Sequence, residues 1–307
     1  MRIAVMGAGG VGGYFGAKLA QGGHDVSFIA RGRHLAAMRE RGLTVKSALG
    51  DIELVRPTVT EDPKSLDPAD VVLFAVKLWD TESAAESIRP LIANGGVVIP
   101  FQNGVESIER IGAVIGAERV MGGVAFIAAT IAEPGVIAQT GTMARLRFGP
   151  TLPAQQPSAD AFAAACTSAG IDAEVVADIR KVLWVKFGFL AALSGMTAAA
   201  RQPIGVLRVD PDMRAVFEAA IREVWTVARA RGIALPEDYV AEQMKFADGL
   251  PAQMKASMLN DLIAGNRLEA PWLSGAVARM AQAAGVPAPV NATLYAAVKP
   301  YCAGVAR

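Results

Sequence analysis

The 307-residue chain balances 30 Lys and Arg against 29 Asp and Glu, so charge gives no reason to expect nucleic acid, a polybasic membrane contact or a disordered acidic tail. Its length suits two domains of ordinary size, each able to bury a core. The opening apolar run Ile3–Met6 is too short for a signal peptide, and the two cysteines, Cys166 and Cys302, lie far apart without metal-site spacing; both point to a cytoplasmic protein without a metal site.

In chain order, the first part alternates short β-rich runs with helical ones. Strands are expected at Ile3–Met6, Asp25–Ala30, Val71–Val76 and Val97–Phe101, and helices at Gly12–Gln21, His34–Arg41, Thr81–Ile92 and from about Ser107. Near-continuous apolar strands separated by helices imply a parallel sheet covered on both faces. Val136–Gln139 and Arg145–Phe148 flank Thr140-Gly141-Thr142, which reads as a hairpin. A turn-rich stretch, Pro150 to Ser158, leads to a helix and a last short strand near Glu174–Val176. From about Ile179 the strand signal fades. Helices are expected at Arg180–Ala200, Pro211–Arg231, Pro236–Phe246, Met254–Asn266, Pro271–Ala284 and Pro289–Lys299, with prolines at their starts. The expected architecture is α/β: residues 1–178 as a Rossmann-type, mainly parallel sheet domain binding NADP, and residues 179–307 as an all-helical substrate and catalytic domain.

Gly7-Ala8-Gly9-Gly10-Val11-Gly12 is a GxGxxG run placed directly after the first strand and at the opening of the first helix. In that position Gly7 permits a tight turn, Gly9 lets the backbone approach a pyrophosphate, and Gly12 allows close helix–strand packing. The helix N-terminus then offers amides and a positive dipole end to phosphate. NAD-binding versions carry an acid about 20 residues on, for the ribose 2′-hydroxyl. Here the second strand ends in Ala30-Arg31-Gly32-Arg33, and Arg31 suits a 2′-phosphate, so the expected cofactor is NADPH/NADP. Lys77 and Gln102-Asn103-Gly104 follow the next two strands, at the carboxyl ends where open α/β sheets bind ligands.

Carbonyl reduction by a nicotinamide needs an acid for the developing alkoxide. Both histidines, His24 and His34, fall near the second strand, so another group must serve. Between Val182 and Ala200 the only charged residue is Lys186. The run is nearly long enough to span a bilayer, but an internal lysine and the lack of a second such segment favour a buried helix. Desolvation there lowers a lysine's pKa toward the range useful for proton transfer. Lys186, Leu190, Ser194 and Thr197 share one stripe that suits a substrate, while a lysine that snorkels out or pairs structurally is the alternative.

These residues resemble the ketopantoate reductases (2-dehydropantoate 2-reductases) over essentially the whole chain. The likeness rests on GAGGVGGYFGAKLAQGGHDVSFIARG, AVKLWD, FQNGVES, LWVKFGFLAALSGMTA, ASMLNDLIAGNRLEAPWLSGAV and AQAAGVPAPVNATLYAAVK. The resemblance implies NADPH-dependent reduction of 2-dehydropantoate to pantoate, a step of pantothenate biosynthesis. It implies that Lys186 protonates the carbonyl oxygen and that Glu269 helps bind cofactor and substrate. It further implies that Asn103 lies by nicotinamide and substrate, Lys77 and Ala128 by the cofactor, and Ser257 by the substrate. Where the family places asparagines one and two turns past the lysine, this chain has Leu190 and Ser194, which points to a more apolar 2-keto acid as the alternative substrate. A regulator that senses NADPH without turnover would keep the glycine run and Arg31 but need neither Lys186 nor Glu269. The only partner expected is the small-molecule 2-keto acid, with no nucleic acid and no membrane; the helical domain offers a homodimer interface without an exposed stripe that demands one.

Overall fold

The computed structural model describes residues 1–305, which form two compact units. The first comprises residues 1–102 and 106–179; the second comprises residues 103–105 with residues 180 onward.

In the N-terminal unit the elements run β1 (Arg2–Met6), α1 (Gly10–Gln21), β2 (Asp25–Ile29), α2 (Gly32–Arg41), β3 (Leu43–Ser47), β4 (Ile52–Leu54), β5 (Thr58–Thr60), β6 (Val71–Phe74), α3 (Thr81–Ser87), β7 (Val97–Pro100), α4 (Ser107–Ile115), β8 (Gly122–Glu133), β9 (Val136–Gly149), α5 (Gln156–Ser168) and β10 (Asp172–Val175). One sheet has the order β5-β2-β1-β6-β7 and is parallel throughout. Its strands β6 and β7 are buried at every position, in keeping with their apolar VVLF and VVIP runs. A second five-stranded sheet has the order β10-β9-β3-β4, with β8 antiparallel to β9. Helix α1 packs into both sheets through small residues. A Cβ at Gly16 would crowd Val5 and Phe28 of the first sheet, and one at Gly13 would crowd Ile137 of the second.

The second sheet differs from the sequence expectation. The hairpin turn is Pro134-Gly135, between β8 and β9, and not Thr140-Gly141-Thr142. The expected two strands are one continuous β9. Its pairing shifts between Ile127↔Ala144 and Ala128↔Thr140, so residues 141–143 are the extra residues of a bulge. A glycine flanked by threonines fits a bulge as readily as a turn, and the length of β9 decides between them. Strands β3, β4 and β5 were not expected; they are only three to five residues long, and their polar positions dilute the apolar signal. The expected helix Thr81–Ile92 is shorter, with a 3₁₀ turn at Arg89–Ile92.

In the C-terminal unit α6 (Ile179–Ala200), α7 (Ile204–Val209), α8 (Pro211–Ala230), α9 (Tyr239–Gly249), α10 (Ser257–Ile263), α11 (Ser274–Ala284) and α12 (Pro289–Val298) enclose one core. Helix α6 begins one residue inside the N-terminal unit. It is long and apolar enough to cross a membrane, and 61% of that window is buried in the protein. Helix α8 buries Phe217, Ala220, Ile221, Val224, Val227 and Ala228, a helical three-and-four spacing. Its N-cap Asp210 accepts from the Met213 amide at 2.9 Å. The Glu223 carboxylate accepts from the Val290 and Asn291 amides at 2.7 and 2.8 Å and so closes the N-terminus of α12. Pro211 and Pro289 open their helices as expected, whereas Pro236 precedes α9 by three residues and Pro271 lies in a 3₁₀ turn before α11. Helix α7 was not expected.

Candidate active site

In the N-terminal unit the glycine run connects β1 to α1. Gly7 has φ +100°, a backbone conformation that other residues adopt only with strain, and its Cβ position lies 2.9 Å from the Ala75 backbone. A Cβ at Gly10 would collide with the Ala129 carbonyl, so β8 passes directly over the start of α1. Ala128, one residue earlier on β8, is exposed. Gly9 differs from both: nothing lies within 4 Å of its Cβ position. Its amide has no backbone acceptor among the described residues, and the Gly13 amide closes the first helical turn on the Gly9 carbonyl at 2.6 Å. The amides of the first turn, including Val11 and Gly12, therefore have no intrahelical partner.

This surface has the chemistry of a pyrophosphate cradle: an open approach, unpaired amides and a positive helix end. The end of β2 adds Arg31, the N-cap residue of α2. Its guanidinium stands 4.0 Å from the Asp80 carboxylate and its side chain is 62% exposed, which leaves it able to meet an anion. Lys77, at the end of β6, is exposed, with its ammonium 5.6 Å from the Trp79 ring centroid. Gln102, at the end of β7, donates to the Val76 carbonyl at 2.9 Å and to Thr81 Oγ1 at 3.0 Å, which ties two strand ends together. Its buried Oε1 has no partner. An orphaned buried acceptor fits a donor on a bound polar group.

In the C-terminal unit the reactive cluster centres on Lys186. The Lys186 ammonium donates to Asn103 Oδ1 at 3.1 Å. Asn103 is held there because residues 103–105 fold with the helical unit: Val105 packs on its core, and Gly104, at φ +89°, brings its Cβ position within 3.4 Å of the Trp272 carbonyl. Lys186 keeps some exposed surface, yet protein atoms crowd its ammonium. That desolvation lowers its pKa from 10.5 to about 8, and the charge of Glu269 acts in the opposite direction. Glu269 is half-buried and lies just before the 3₁₀ turn Ala270–Trp272.

Sequence reasoning missed Tyr239. Its hydroxyl donates to the Val185 carbonyl at 2.9 Å. The phenol lies against α6 beside Lys186, and Gly188 leaves room for it, since a Cβ there would collide with the hydroxyl. A tyrosine at the start of a helix gives no hint in the sequence of this contact 54 residues back.

The residues of the expected substrate stripe differ in burial. Leu190 is half-buried one turn after Lys186, but Ser194 has no exposed surface and its Oγ has no partner. Thr197 is also fully buried and donates to the Leu193 carbonyl at 2.7 Å. Helical spacing alone does not reveal that α6 sinks into its own core beyond Leu190. Ser257, the first residue of α10, is exposed.

The family model for the ketopantoate reductases PanE/ApbA matches residues 3–152, and the model for their C-terminal part matches residues 178–301. The 2-dehydropantoate 2-reductases of Archaeoglobus fulgidus and Halobacterium salinarum are 32% and 31% identical to the chain; the matches cover 95% and 96% of it and the same shares of the two relatives. The crystal structure of a PanE/ApbA family ketopantoate reductase from Ralstonia eutropha JMP134 superposes with a TM-score of 0.90 at 34% identity, covering 98% of each chain. With both halves matched in order and relatives aligned from end to end, the chain belongs to the ketopantoate reductase family of oxidoreductases.

Proposed function

We propose that this protein reduces a 2-keto acid to the 2-hydroxy acid with NADPH in the cytoplasm, and that 2-dehydropantoate, giving pantoate, is its first substrate. The observation that carries this reading is the Lys186 ammonium, hydrogen-bonded to Asn103, desolvated to a pKa of about 8 and within the influence of the Glu269 charge. A reduced nicotinamide supplies the hydride when the cofactor is bound. The amides of Gly9 to Gly12 would hold its pyrophosphate, and Arg31 its 2′-phosphate.

Lys186 does the protein's own chemistry. As charge develops on the keto oxygen, the ammonium first donates a hydrogen bond and then transfers its proton, and solvent reprotonates the amine. Asn103 helps fix the direction of the lysine head, because its Oδ1 takes one of the ammonium hydrogens. Glu269 keeps the lysine charged near neutral pH by opposing the desolvation.

A second reading concerns the substrate side chain. Leu190, one turn from Lys186, presents an apolar, half-exposed surface that offers no hydrogen bond. It suits a 2-keto acid with a branched or aromatic side chain. The deciding experiment measures NADPH and NADH oxidation by purified protein with 2-dehydropantoate, benzoylformate and branched 2-keto acids. Turnover of 2-dehydropantoate with NADPH supports the first reading, and preference for a bulky apolar acid supports the second. Inactivity toward all of them would defeat both.

A further inference from the structure

We propose that His34 is a positioning residue for the cofactor loop: its ring sets the direction of the Gly9 amide by holding the Ala8 carbonyl. This rests on the reading of residues 7–12 as the cradle for the dinucleotide. Both ring nitrogens meet backbone groups. Nε2 lies 2.9 Å from the Ala8 carbonyl oxygen, and the Gly135 amide donates to Nδ1 at 3.0 Å.

An amide N–H can only donate, so Nδ1 must carry the lone pair and Nε2 the proton. The neutral Nε2–H tautomer is therefore fixed by the fold, and Nε2–H donates to Ala8. Burial favours the same state: it lowers the His34 pKa, against a smaller opposite effect of the Ala8 carbonyl.

The consequence for Gly9 follows from peptide geometry. No cis peptide occurs among the described residues, and in a planar trans unit the carbonyl and the next N–H point in opposite directions. Holding the Ala8 carbonyl therefore aims the Gly9 N–H the other way. That N–H has no backbone acceptor among the described residues, and no atom lies within 4 Å of the Gly9 Cβ position. The other face of the same residue is anchored too, since the Ala8 amide donates to the Ile29 carbonyl at 3.2 Å.

The anchor behind the ring is itself rigid. Gly135 is the turn residue of the β8–β9 hairpin. Its carbonyl accepts from the Thr44 amide at 2.9 Å, and its Cβ position lies 3.2 Å from Ala37 on α2. His34 thus transmits the position of the hairpin to the loop, from 101 residues away in sequence.

Three substitutions separate the two bonds. His34→Gln keeps a donor at the reach of Nε2, His34→Asn keeps an acceptor near Nδ1 but loses the donor, and His34→Ala loses both. The dissociation constant for NADPH, from fluorescence titration, is expected to rise about tenfold in His34→Asn and His34→Ala and to stay within about twofold in His34→Gln. In ¹⁵N-labelled protein without cofactor, the ring should show the Nε2–H tautomer. The Gly9 amide resonance should move in His34→Asn and return in His34→Gln, a rescue that a purely structural role would not produce. An Nδ1–H tautomer, a Gly9 resonance indifferent to His34, or His34→Asn binding NADPH as tightly as His34→Gln would each overturn the proposal. Wild-type protein that binds no dinucleotide would remove the cofactor reading instead, and the tautomer and Gly9 resonances would still decide the role of His34.

Discussion

A proton donor must hold its proton at working pH and release it readily, and the donor proposed here, Lys186, suits both conditions because two opposed effects leave its pKa at about 8. The rate of keto-acid reduction is therefore expected to fall as pH rises through about 8, and the reverse oxidation to rise over the same range. Lys186→Ala should lower kcat by about 10²–10⁴-fold while the NADPH dissociation constant, read by fluorescence titration, stays within about twofold, because the cradle residues belong to the other unit. Normal turnover by that variant would remove the assigned acid. Arg31 supports a different test. Its side chain is mostly exposed and its carboxylate neighbour lies at the limit of an ion pair, so removing it leaves the fold intact. Arg31→Ala should weaken NADPH binding about tenfold and leave NADH binding nearly unchanged; equal losses for both would mean that Arg31 does not meet the 2′-phosphate. Lys186 was legible in the sequence because a lone charge in a long apolar helix has few explanations. Glu269 was legible only by resemblance, since one acid among many on a polar segment has no signature of its own. His34 was read only as lying near the second strand, because its two bonds reach backbone groups distant in sequence.

At the scale of elements, what the sequence revealed depended on whether one element's own pattern sufficed. Strands β6 and β7 announce themselves as unbroken apolar runs, and α8 as a three-and-four spacing. The second sheet does not, because β3 and β4 owe their places to pairing with β9 and with each other. The same limit hid the contact of Tyr239 with α6. Its hydroxyl bonds the carbonyl of Val185, the residue before Lys186, and so restrains the backbone that carries the lysine. Tyr239→Phe removes the hydroxyl and with it this restraint. The expected result is a kcat lower by about tenfold, as a small misplacement of a catalytic group costs, with the NADPH dissociation constant unchanged. Steady-state kinetics beside a binding titration distinguish this from general loss of fold, which would lower both. An unchanged kcat would show that Tyr239 serves packing alone.

Across the whole molecule, a proton donor of the kind proposed for Lys186, held away from water, couples activity to stability. The unfolded chain protonates Lys186 with the ordinary pKa of 10.5, the folded chain with about 8. Below pH 8 both states hold the proton, and the cost of keeping the charge desolvated is present in full. Between pH 8 and 10.5 the unfolded chain binds a proton that the folded chain has released, so this group's contribution to stability rises with pH. Above 10.5 neither state holds the proton and the contribution is constant. Lys186→Met has no such titration. Its unfolding free energy minus that of the wild type should therefore shrink from pH 8 to 10.5, by on the order of 1–3 kcal/mol given that the lysine retains some exposed surface. Denaturant unfolding of both proteins at matched pH values measures this, and the subtraction cancels every group they share. A difference that stays flat across the window would mean that folding does not shift the pKa of the ammonium. The lowered pKa would then be absent, and with it the argument that Lys186 is poised to give up its proton near neutral pH.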